Sequence, residues 1–144
     1  MADIQIVREF KVSPERLFRA VTEQAEILNW WGHDGWTIPA QNLDFSQVGP
    51  WHSEMFGQDG TRYKLSGQVT HVTPPRSVGF TWGWHDDDDR RGQESHVTFT
   101  VETTQDGARL ILDHRDLPGD DVAGRHETGW TKGPMLRLER YLAG

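Results

Sequence analysis

Seven histidines and seven tryptophans are the residues of this chain with chemistry to offer. A histidine can ligate a metal, move a proton near neutral pH or anchor a ligand, and spacing decides among these. His33, His52, His71, His85, His96, His114 and His126 are scattered. None stands in the His-x-x-x-His or His-Glu-x-x-His arrangement that brings two rings to one helix face around zinc. The Asp86–Asp89 run lacks the spaced oxygen ligands of a calcium loop and reads as a solvated turn. No metal and no cofactor is therefore expected. There is no Gly-x-Ser-x-Gly elbow, no glycine-rich phosphate loop and no paired nucleophile and base. With no cysteine, thiol catalysis and disulfides are excluded. No catalytic residue is assigned. His114 stands out because it shares strand parity with Leu110 and Leu112 and should face inward. It is either a core histidine satisfied by a hydrogen bond, or a polar anchor or proton-transfer group in a pocket.

The tryptophans carry a second ambiguity. Each can bury roughly 150–250 Å², so they must be packed or used. Trp30 and Trp31 are adjacent, and neighbouring side chains point in different directions. One indole can enter a core while the other faces a cleft. Trp82 and Trp84 share parity with Val78 and Phe80, which fits both core packing and a stacking wall for a flat ligand. Trp31, Trp36 and Trp51 are open to the same two readings. Strand parity sends Met55, Trp82, Trp84 and His114 toward one common space. The candidate lining of that space is Trp31, Trp36, Trp51, Ser53, Met55, Tyr63, Phe80, Trp82, Trp84, Phe99, His114, His126 and Trp130.

The positioning elements follow from periodicity. Ile4, Val7, Phe10 and Val12 lie in a β-prone opening segment whose register is blurred by Arg8 and Glu9. Ser13-Pro14-Glu15-Arg16 reads as a helix start, with Leu17, Phe18 and Val21 as its apolar stripe. A second short helix runs from about Glu23 to near Gly32, and Gly35 and Pro39 mark a loop. From residue 40 the period becomes two. Trp51, Ser53 and Met55, then Tyr63, Leu65, Gly67 and Val69, alternate with polar neighbours across an Asp59-Gly60 turn. Pro74-Pro75-Arg76 turns the chain into Val78–Trp84. The acidic loop, Val97–Val101, the Asp106-Gly107 turn and Leu110–His114 complete an antiparallel meander. After Pro118, Val122, His126, Trp130, Leu138, Tyr141 and Leu142 recur at helical spacing over about residues 119–142. Gly133-Pro134 interrupts them and predicts a kink near Trp130, whose carbonyl would lose its helical partner.

Composition bounds the partners. One domain over residues 1–144 is the expected organisation. Fifteen Lys+Arg against 22 Asp+Glu give a net charge of −7, which disfavours nucleic acid and anionic membrane. The first residues show no basic-then-apolar leader, and no apolar run approaches a membrane span, so a cytoplasmic location is expected.

The order of these residues resembles the helix-grip fold of the SRPBCC (START-like) superfamily, and within it the AHSA group, named for an activator of a heat-shock chaperone ATPase. The resemblance rests on Arg8-Glu9-Phe10, Ser13–Phe18, Trp30-Trp31-Gly32, Val48-Gly49-Pro50-Trp51, Asp59-Gly60, Gly67-Gln68-Val69, Val72 and Pro74-Pro75. Thr128-Gly129-Trp130 and Leu138-Glu139-Arg140-Tyr141-Leu142 complete it. It spans nearly the whole chain. The chain departs from the group at Gly133-Pro134, where members usually continue an unbroken helix, and at Gly49-Pro50, where a Gly-Gly pair is common. The resemblance implies an α+β fold. An antiparallel curved sheet of six to seven strands follows two short helices placed after the first strand, and a long C-terminal helix encloses a cavity. The expected function is to hold a hydrophobic or aromatic small molecule there. The alternatives are a module that docks on a chaperone-like protein in a stress response, and a cyclase- or hydrolase-like enzyme using the cavity histidine. A homodimer is left open.

Overall fold

The computed structural model describes residues 1–144. Its elements run β1 (Ala2–Phe10), α1 (Pro14–Thr22), α2 (Gln24–Ile27), β2 (Thr37–Asn42), β3 (Gly49–Phe56), β4 (Arg62–Thr73), β5 (Ser77–Trp84), β6 (Ser95–Thr103), β7 (Ala108–Leu117), α3 (Asp120–Lys132) and α4 (Pro134–Ala143). The seven strands form one antiparallel sheet in the order β1-β7-β6-β5-β4-β3-β2. Apart from the return of β1 to pair with β7, each strand lies beside its sequence neighbour. Short turns leave no other choice, because a two-residue hairpin can join only antiparallel strands.

Period-two patterning decides which face is buried. Trp51, Ser53 and Met55 on β3, Val97, Phe99 and Val101 on β6, and Leu110, Leu112 and His114 on β7 are buried, while their alternates are half-buried or exposed. One face of the sheet is thus covered and the other meets water, as antiparallel sheets allow. In β1 the inward residues are Ile6 and Phe10, and Val7 points out, 42% exposed. Arg8 shares the inward face and pairs with Glu139 of α4 at 3.2 Å, which accounts for the blurred sequence pattern.

The residues around Pro39, expected as loop, form edge strand β2. Proline is tolerated there because an edge strand has one side free of the ladder. The pairing of β2 with β3 is irregular between Thr37 and Ala40, where Pro39 sits.

All helices cover the buried face. α1 starts where Ser13 Oγ accepts the Arg16 backbone N–H at 3.1 Å and Pro14 takes the first turn, and it buries Leu17, Phe18, Ala20 and Val21. The C-terminal segment is two helices instead of one kinked helix. Gly133 closes α3 by donating to the Gly129 carbonyl at 3.2 Å, and its own carbonyl accepts from Arg137 at 3.0 Å to open α4. Pro134 is the first residue of α4, where a missing N–H is harmless. No helix is long and apolar enough to cross a membrane.

α3 is held across the sheet by Trp130, buried to 4% exposure among Trp31, Trp82, Phe99 and His114. Trp130→Ala should lower stability by about 3–5 kcal/mol, through lost burial and the void left behind. Urea unfolding measures this, and an unchanged midpoint would mean that the ring does not hold the helix to the sheet.

Candidate functional site

Between the sheet and α3 lies a cavity of about 460 Å³, within the size range of small-molecule pockets. Met55 of β3, Tyr63 and Leu65 of β4, and Trp82 and Trp84 of β5 form its sheet side. Val122, Arg125, His126, Gly129 and Trp130 of α3, with Pro134, form the helical side. Trp31, Gly32, His33 and Trp36, from the segment after α2, close one end. Val122, Arg125 or His126, and Gly129 or Trp130 follow one another at three- and four-residue steps, so one helix face supplies them all.

Each wall has a local cause. Trp30 and Trp31 divide as neighbouring side chains must. Trp30 enters the core and donates to the Ala20 carbonyl at 2.8 Å, while Trp31 lines the cavity and donates to Ser53 Oγ at 3.0 Å. Gly32 follows with φ of +79°, a left-handed turn that favours glycine, and the chain then reverses so that His33 and Trp36 face the same space. Trp36 stacks on Tyr63 at 4.5 Å and 12°, and His33 lies 4.5 Å from Trp36. The other side of His33 rests on Gly133, where a Cβ would lie 2.5 Å from the ring. The helix break therefore sits where the imidazole needs a bare backbone.

Eight of the thirteen candidate residues line the cavity: Trp31, Trp36, Met55, Tyr63, Trp82, Trp84, His126 and Trp130. Five do not, and each is packed one layer deeper. Trp51 donates to the Thr81 carbonyl at 2.9 Å and is wedged against Phe45 and Phe80. Phe80 stacks on Phe45, and Phe99 packs between Trp30 and Trp130. Ser53 is sealed beneath Trp31. His114 faces inward on its strand but lies behind Trp82, Trp130 and His126. Parity gives the face of a sheet and says nothing of depth. Gly32, His33, Leu65, Val122, Arg125, Gly129 and Pro134 line the cavity without having been expected. The α3 members could have been found by stepping back from Trp130 in helical intervals. His33 and Gly32 carried no such signal, because their place depends on a turn.

The two inward histidines are held neutral by the same device. An indole N–H only donates, so the imidazole nitrogen it meets must accept. Trp130 donates to His114 Nδ1 at 3.1 Å, leaving the Nε2 proton for Ser95 Oγ at 2.8 Å. Trp84 donates to His126 Nε2 at 2.9 Å, and His126 Nδ1–H then meets the Val122 carbonyl at 2.8 Å. Burial pushes His114 down to about 3, with smaller repulsion from His126 and His96. Burial also lowers His126; Arg125 lowers it further, against the bond to Val122. His33 is lowered by burial and Arg137, against Asp34. Neither His114 nor His126 touches a carboxylate; their partners are a serine hydroxyl, a backbone carbonyl and two indole N–H groups. Among buried side chains, only Trp82 Nε1 has no hydrogen-bond partner.

The family described as Activator of Hsp90 ATPase homolog 1-like protein matches residues 11–143. The AHSA1 protein of Silicibacter pomeroyi is 58% identical over 99% of this chain and 98% of its own, with a TM-score of 0.94. A Chromobacterium violaceum protein shares the fold at 19% identity, covering 99% of this chain and 98% of its own, with a TM-score of 0.84. The AHSA1-like protein of Aeromonas hydrophila does so at 17% identity, covering 99% and 92%, with a TM-score of 0.74. A comparison with curated protein sequences gives no match. The architecture is the helix-grip fold of the SRPBCC superfamily.

The histidine geometry fixes a pH response. An unfolded His114 takes up a proton near its ordinary value of 6.5, whereas the folded one resists protonation down to about 3. The unfolded chain therefore binds the extra proton in this window, so stability is full above it and falls as pH drops through it. The expected loss from this group is up to about 1.4 kcal/mol per pH unit. Urea unfolding from about pH 6 to about pH 4 should show a shallower pH slope for His114→Gln than for the parent protein. Equal slopes would mean that His114 is not held neutral.

Proposed function

The chain belongs to the family of Activator of Hsp90 ATPase homolog 1-like proteins, and on that premise we propose that it is a binding protein for a hydrophobic, ring-containing small molecule. The observation that carries this reading is the cavity itself. Its walls are mostly hydrophobic and rich in indole rings, and its polar groups are few and sit at defined points, the usual make-up of a small-molecule site. The stacked Trp36–Tyr63 pair and the half-exposed Trp84 offer flat surfaces to a planar ligand. Trp82 Nε1 adds a buried donor without an acceptor, which costs about 1–3 kcal/mol unless something satisfies it.

The family name raises docking on a chaperone as an alternative. A cavity stays open between the sheet and α3, whereas the exposed large apolar side chains, Met1, Val7, Leu28, Val48, Trp84 and Leu136, come from several different parts of the chain. That favours an internal ligand over surface docking. Partner docking and any chemistry therefore rank below small-molecule binding.

Gly129 supplies the test. A Cβ placed there meets nothing within 4 Å, so a larger side chain enters the cavity without a clash at its base. Gly129→Leu should fill the space and weaken binding of the neutral fluorescent probe N-phenyl-naphthylamine by about tenfold or more. Thermal stability should hold or rise, since leucine is a better helix former than glycine by up to about 1 kcal/mol. Undiminished probe binding in this variant would sink the cavity as the binding site. Native mass spectrometry of freshly purified protein should also show a co-purified small molecule in the parent and less in the variant.

A further inference from the structure

Resting on the ligand-binding reading above, we infer that the cavity takes a planar hydrophobic molecule bearing one carboxylate. Arg125 binds the carboxylate at the mouth, and the aromatic walls hold the ring body. The lining contains one arginine and no aspartate, glutamate or lysine. In a chain with a net charge of −7, a cavity rimmed by cation alone has the opposite sign from the molecule around it. The Arg125 guanidinium takes part in no ion pair or hydrogen bond within the protein, although Asp121 lies one turn earlier on α3. It is exposed, so it stays hydrated until a ligand arrives.

The neighbouring groups limit the charge of the ligand. His33 and His126 are both shifted toward the neutral form, and Arg125 is one cause at His126. They add no second positive charge, so the mouth suits a monoanion better than a phosphate dianion. Both His126 nitrogens are already engaged by Trp84 and Val122, and His33 favours its neutral form, which leaves Arg125 as the cation of the mouth. A guanidinium matches a carboxylate with two parallel hydrogen bonds, a fit that needs the planar fork. Gly129 stands four residues after Arg125 on the same helix face, and its bare backbone leaves open space beside the arginine stem. The guanidinium can therefore lean over the helix toward the cavity. Long-range repulsion from the acidic surface is screened beyond about 8 Å at physiological salt, so the local cation decides.

Naphthoate and naphthylmethanol share a ring system and differ in the charged group, and isothermal titration calorimetry compares them. The parent protein should bind naphthoate about two- to fivefold tighter than naphthylmethanol, the range for a solvent-exposed ion pair. Arg125→Gln should bring the ratio of the two affinities to about one, Arg125→Lys should keep part of it, and added salt should shrink it. Equal affinities in the parent, or a preference that survives Arg125→Gln, would overturn the anion inference and leave the cavity reading standing. Failure of both naphthoate and naphthylmethanol to bind the parent would overturn both.

Discussion

Burying indoles obliges the structure to supply an acceptor for each N–H, and much of the arrangement can be traced to that demand. A buried unpartnered donor costs free energy comparable to a lost hydrogen bond. Trp30 finds the Ala20 carbonyl, Trp51 the Thr81 carbonyl and Trp31 the Ser53 hydroxyl. These three bonds tie the segment after α2 to α1 and β3, and β3 across the sheet to β5. Trp84 and Trp130 use histidines, and so weld β5 and β7 to α3. The grip of helix on sheet is thus a set of directed bonds within an apolar interface. Trp82, the ring that touches most of these partners, is the buried indole left without an acceptor.

The same demand explains why His114 is buried and His126 half-buried. An imidazole is a strong acceptor only when neutral, and an indole opposite it favours that form. His114 is part of the scaffold for this reason. Its partners Ser95 and Trp130 use both ring nitrogens, so none is left for a ligand or a proton-transfer step. The histidine that meets the cavity with its ring unbonded is His33, which is held by stacking on Trp36 and by contact with Gly133.

The fold was readable because it depends on local rules. Period-two strands, two turn signals of the Asp-Gly type and a proline at a helix start are properties of a few neighbouring residues. Edge strand β2 escaped because Pro39 is a breaker everywhere except at an edge, and a sequence does not announce its edges. The site was legible only in part. Met55, Trp82 and Trp84 were placed by parity, whereas His114, Trp51, Phe80, Phe99 and Ser53 share that parity and lie behind other rings. Depth is set by how large side chains layer on one another, which is a nonlocal property. Arg125 and Gly129 looked like ordinary surface and motif residues until the sheet placed Trp84 and Tyr63 opposite them.

Gly133-Pro134 shows how one local departure shapes the site. An unbroken helix would place a Cβ near residue 133 and an N–H at residue 134. The Cβ would drive His33 off its seat, 2.5 Å away, and with it the ring stack that closes one end of the cavity. Proline at 134 removes the N–H that would continue the ladder to the Trp130 carbonyl, so the chain restarts as α4. Pro134 is itself buried and lines the cavity, and α4 brings Arg137 to the Trp31 carbonyl and, with Arg140, to Asp34. The loop carrying Trp31, His33 and Trp36 is therefore held from the helix side by ion pairs and a backbone bond. The break closes the cavity end with aromatic rings while keeping the α3 face free for Gly129 and Arg125.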